Sequence, residues 1–138
     1  MDLFKFLKSR NNCSEVASVS DADIETLSVM CRHCEPKFSK KGFITRNYAY
    51  YVPQYEEDLE MAKNIFVKNG IPAKEYMSNI MGPRKEKVLR IDYRDVKSED
   101  KLKHEMKRVK ENMFSLFRSG KWLEKQAKMT EKQEQSQR

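Results

Sequence analysis

From Phe43 to Tyr93 the sequence reads as strand, helix, strand, strand, and that order confines the fold more than any other feature of the chain. Phe43 to Val52 is rich in aromatic and β-branched residues, which suit a pleated, half-buried surface; Ile44, Tyr48, Tyr50 and Val52 share one face of it, interrupted by Arg46. Pro53 then suits the start of a helix, because its missing N–H costs nothing in a first turn. Glu56, Glu57 and Asp58 match the positive end of the helix dipole, and Gly70 with Pro72 supplies the stop. Tyr55, Leu59, Ala62 and Phe66, with Ile65 beside them, form the apolar stripe of this helix. Ala73 to Met81 and Lys87 to Tyr93 read as strands of a hairpin, joined by a turn at Gly82, Pro83, Arg84 and Lys85. In the second strand Leu89, Ile91 and Tyr93 point one way and Arg90 and Asp92 the other, the alternation of a sheet covered on one face.

Two helical patterns flank this unit. Ser20 and Asp23 resemble a capping box, and Ile24, Leu27, Cys31 and Cys34 then recur at steps of three or four, so a helix is expected from Asp21 until Pro36 ends it. Lys37 to Gly42 reads as a basic loop. On the other side Ser98 is a cap for a long helix, and Leu102, Met106, Val109, Met113 and Leu116 form its seam. That seam fits either a helix packed on the sheet or a helix pair between chains. Ser119 and Gly120 break the pattern before a last apolar anchor at Trp122 and Leu123.

The expectation is an α+β fold: a small antiparallel-rich sheet in β-α-β-β order, close to a ferredoxin-like half, packed by an N-terminal helix and a long C-terminal helix. Residues 20–123 make one domain. Residues 1–19 form a short amphipathic segment and linker, whose Phe4 and Phe6 can dock on the domain, on a partner or on a membrane surface. Residues 124–138 are too polar to add to a core and are expected to fray.

Charge narrows the choice of partner. The chain carries a net +7, and Lys97 to Arg138 holds 12 Lys and Arg against 7 Asp and Glu, so most of the surplus lies in the last third. A polyanion or an acidic protein surface is favoured over a cationic ligand. Three cysteines cannot all pair within one chain, which fits a reducing, cytoplasmic setting, and no apolar run approaches the roughly 20 residues needed to span a bilayer.

Motifs with chemistry lack parts. Cys31 and Cys34 form a C-x-x-C pair that Cys13 or His104 could complete as a zinc site, but no second pair follows, and thiols on the apolar stripe of a helix are more simply buried as small hydrophobes. Asp92 and Arg94, joined with the Glu56 to Glu60 acids, would need a lysine where Arg94 stands to resemble a metal-dependent nuclease centre. With 4 Gly in the chain there is no phosphate-cradling loop, and no serine elbow occurs. A non-enzymatic protein without a cofactor is therefore expected.

The remaining candidate is distributed. Lys40, Lys41 and Arg46 lie at the first strand, Arg84, Lys85, Lys87 and Arg90 surround the hairpin, and Tyr48 and Tyr50 lie between them. Basic groups around sheet aromatics combine phosphate neutralisation with base stacking, so nucleic-acid contact without strong sequence specificity is the leading expectation. The alternative is a protein-interaction or assembly module using Leu102, Met106, Val109, Met113 and Trp122 on the C-terminal helix with Phe4 and Phe6, joining a protein partner or a second copy.

Overall fold

A computed structural model of the chain describes residues 13–41 and 44–136, with side-chain surroundings for 13–35 and 48–131. Phe4, Phe6, Gly42 and Phe43 fall outside the described residues. The elements run α1 (Asp21–Met30), β1 (Cys31–Lys41), β2 (Ile44–Pro53), a 3-10 turn (Glu56–Asp58), α2 (Leu59–Lys68), β3 (Lys74–Ser78), β4 (Glu86–Asp92), a second 3-10 turn (Tyr93–Asp95), α3 (Glu99–Ser119) and α4 (Trp122–Ser136). The fold is α+β. Among the described residues the strands form one sheet of order β1-β2-β4-β3 with every pairing antiparallel, so the expected β-α-β-β order lacks a strand at its start.

That extra strand is β1, where a helix and a basic loop were expected. The register of β1 against β2 shifts between Cys31 and His33. A bulge adds one residue to a strand, so residues three apart come to share a face and imitate helical spacing. Cys31 and Cys34 are both fully buried by this device. Pro36 is accommodated because β1 lies at the edge of the sheet, where a missing N–H need not cost a ladder bond. The helix itself stops at Met30, capped at its start by Ser20, whose Oγ accepts from Asp23 N at 3.2 Å.

Rows across the sheet define its faces. Cys34, Tyr51, Leu89 and Glu75 are register partners in one row, and Glu35, Tyr50, Arg90 and Lys74 in the next. The face bearing Cys34, Ala49, Tyr51, Leu89 and Ile91 is covered by α1, α2 and α3 and holds the core. Tyr51 locks it: its hydroxyl donates to Leu27 O at 2.6 Å and its ring meets Phe66 edge-on, with centroids 5.2 Å apart. Burial pushes the Tyr51 phenol well above its usual range. Leu102, Met106, Val109, Met113 and Leu116 of α3 are all buried in this layer, which is the intramolecular use of the seam.

Buried polar groups tie the N-terminal segment down. Glu105 accepts from Val19 N (3.2 Å) and from Arg108 (2.6 Å), while Arg108 also donates to Val19 O (2.7 Å) and Asp21 (2.9 Å). Removing Glu105 would leave the Val19 amide without its acceptor, while Arg108 would keep Val19 O and Asp21.

Two further expectations change. Tyr55 is 53% exposed, because the chain passes through the 3-10 turn before α2 begins at Leu59. The stretch expected as a polar tail continues as α4: Trp122 Nε1 donates to Val29 O at 3.1 Å, Lys125 pairs with Glu25, and Met129 packs against the core. No helix among the described residues is long and apolar enough to cross a membrane.

Candidate functional site

Alternation along β2 and β4 sends Tyr48, Tyr50 and Arg90 to the face opposite the helices, and the β3–β4 register adds Tyr76 and Ser78 from the edge strand. Val52 and Val88 have the same parity and are buried, which gives this open face a small apolar floor of its own. Tyr48 and Tyr50 are half-buried, with ring centroids 6.4 Å apart and planes at 57°. Tyr76 is 43% exposed.

Arg90 occupies the centre. It stands on β4 between β2 and β3, with its guanidinium carbon 4.5 Å from the Tyr48 ring centroid and 3.9 Å from that of Tyr76. A planar, weakly hydrated guanidinium is attracted to aromatic faces in this way. No acceptor among the described residues takes a hydrogen bond from it, and no carboxylate there pairs with it. A pocket of about 310 Å³ opens beside it, walled by the three tyrosines and by Ser78, Asn79 and Ile80 at the end of β3. Ser78 Oγ accepts from Ile80 N at 3.2 Å, which turns the chain over the edge of the sheet.

The acids of this face are already answered. Glu35 contacts His33 at 2.9 Å, Glu86 pairs with Arg32, and Asp92 binds Arg94 Nη2 at 2.6 Å. Partial burial works to raise the Asp92 carboxyl, but the Arg94 hydrogen bonds outweigh it and hold it below its usual 3.8. Arg84 and Lys85 are exposed in the β3–β4 connection, with no ion pair among the described residues. The face thus combines stacking surfaces, a guanidinium held by two rings with no hydrogen-bond acceptor among the described residues, and a basic rim.

The sequence-selected residues divide. Tyr48, Tyr50 and Arg90 come together, and Arg84 and Lys85 lie in the adjoining connection. Lys87 does not join them: strand alternation turns it to the other side, where it pairs with Glu56 at 3.5 Å. The side chains of Lys40, Lys41 and Arg46 lie outside the described residues, although their backbone pairs across the β1–β2 hairpin. Leu102, Met106, Val109 and Met113 are core residues, and Trp122 anchors α4 while stacking on Phe117 at 5.2 Å. The zinc candidates scatter: Cys31 and Cys34 are buried beneath α3, Cys13 donates to Arg94 O at 3.3 Å, and His104 is exposed. Among the described residues no group of three or more His, Cys, Asp or Glu could hold a metal ion.

Tyr76 was missed. Alternation back from the turn would have found it, since Lys74, Tyr76 and Ser78 share parity with Arg90 once the hairpin is in register. Comparison with protein-family models, curated proteins and solved structures gave no match.

Proposed function

We propose that this chain is a non-enzymatic binding module that holds single-stranded nucleic acid against the open face of its sheet. The observation that carries this reading is the grouping of Tyr48, Tyr50 and Tyr76 around Arg90 on the face opposite α1, α2 and α3. A single strand exposes the faces of its bases, and an aromatic platform takes them whatever their sequence, at about 1–3 kcal/mol per stacked base. Arg84 and Lys85 at the rim, within a chain of net charge +7, supply attraction to the backbone. With β4 between β2 and β3, α2 packs on one face of the sheet, and no helix among the described residues covers the other.

Fluorescence anisotropy with labelled single strands across a salt series tests the reading. With two or three rim cations engaged, log K should fall against log salt with a slope of about −1.4 to −2. Tyr48→Ala with Tyr50→Ala should weaken binding about 30-fold or more if each ring stacks one base. Absence of binding at low salt, or an unaltered affinity in the double variant, refutes it.

A second reading rests on a different observation. Phe114, Phe117 and Leu123 are 47%, 46% and 70% exposed near the junction of α3 and α4, so an assembly surface there would use residues outside the buried seam. Sedimentation equilibrium decides it: a concentration-dependent mass that falls to monomer in Phe114→Ser with Phe117→Ser supports assembly, and a constant monomer mass removes it.

A further inference from the structure

Resting on the reading of the open face as a single-strand binder, we infer that the pocket beside Arg90 selects guanine. Stacking on tyrosine is indifferent to base identity, so any preference must come from hydrogen bonds at the base edge. Arg90 brings a rigid fork of donors, held between Tyr48 and Tyr76 and donating to no acceptor among the described residues. Such a fork matches two adjacent acceptors in one plane. Guanine presents O6 and N7 in that relation, whereas adenine pairs N7 with the donor N6–H₂ and would set donor against donor.

The rest of the pocket fits the same base. Ser78 Oγ and the Asn79 side-chain amide can accept, and guanine carries its N1–H and N2–H₂ donors on the edge next to O6. Ser78 Oγ already accepts from Ile80 N, which fixes it at the pocket edge with capacity for a second bond. Cytosine offers adjacent acceptors at O2 and N3, but its single ring covers less of the tyrosine platform. A phosphate is the other group that matches the fork. Strands that differ at a single base carry the same phosphates, so a phosphate held by the fork would leave no base preference.

The experiment uses the full chain and labelled single strands about eight nucleotides long, within the site sizes of small single-strand binders. Strands differ at one central position: guanine, adenine, cytosine or 7-deazaguanine, in which N7 is replaced by C–H. Guanine should bind on the order of ten-fold tighter than adenine, and the 7-deaza base should lose most of that gain. Guanine and adenine strands should bind Arg90→Lys equally, whatever its overall affinity. If all four strands bind the wild-type protein equally, or cytosine binds best, the guanine assignment is overturned and the single-strand reading stands. If none binds at low salt, that reading falls and takes this one with it. The 7-deaza comparison needs no variant, so a misfolded Arg90→Lys protein would not remove the test.

Discussion

Gly70 and Gly120 offer a controlled comparison, because both adopt a left-handed backbone, with φ of 77° and 72°, in different surroundings. Gly120 caps α3 and a Cβ there would meet nothing within 4 Å. Gly70 leads from α2 toward β3, and a Cβ there would drive into the carbonyl oxygen of Glu15. The colliding atoms are backbone, and that stretch is held by Ala17 N donating to Asn69 O at 2.9 Å. Gly120→Ala should therefore lose only the left-handed penalty, about 1 kcal/mol. Gly70→Ala adds an overpacking cost of about 1–3 kcal/mol, for a total of about 2–4 kcal/mol. With a urea m-value of about 1.5 kcal/mol/M, the midpoint should drop by roughly 0.7 M for Gly120→Ala and by about twice that or more for Gly70→Ala. Circular dichroism through equilibrium unfolding reads both. Equal shifts would refute the placement of residues 15–17 against the turn that aims β3, and with it the position of Tyr76.

Other outcomes follow from single contacts. Tyr51→Phe leaves Leu27 O without its buried donor and should cost about 1–2 kcal/mol by urea unfolding, with binding to the open face unchanged. A thiol reagent should modify Cys13 readily in the folded protein and reach Cys31 and Cys34 only on unfolding, because both are fully buried and burial, reinforced by Cys34, pushes the Cys31 thiol well up; three fast thiols would contradict this. The Asp92 carboxyl is held below 3.8 in the folded state, so the stability it contributes is present above that pH and is lost as the pH falls through the depressed folded value. Asp92→Asn should flatten that part of the acid unfolding curve, and an unchanged curve would show that the Arg94 pair contributes nothing. The Tyr93 phenol, pushed up to about 12 by burial first and then by the Glu99 charge, should remain un-ionised in the folded protein at pH 10.5 by ultraviolet difference spectroscopy; ionisation of every tyrosine there would contradict its burial.

Much of the scaffold was legible because local pattern and tertiary demand agreed. The α3 seam, the β3–β4 hairpin and the Ser20 and Ser98 caps all lie where spacing and cap chemistry placed them. Failure came where a local irregularity imitated another period. The bulge at Arg32 puts Cys31 and Cys34 on one face three residues apart, so a strand carries the spacing of a helix. Composition misled at α4, whose polar sequence is held by only a few points, chiefly Trp122, Lys125 and Met129. At the site, alternation grouped Tyr48 with Tyr50 but could not say which face the helices cover; Ala49 and Tyr51 decide that by packing under α1 and α2. Lys87 is close to Arg90 in sequence, but the two-residue period of the strand turns it to the other face.

The central claim is that the open sheet face is the binding surface, and an amide chemical-shift map on titration with an unlabelled single strand addresses it most directly. Shifts should concentrate at Tyr48, Tyr50, Tyr76, Ser78, Asn79 and Arg90, with smaller ones at Arg84 and Lys85. Shifts confined to Lys103, Lys107 and Lys110 on α3, with the tyrosine face silent, would contradict it.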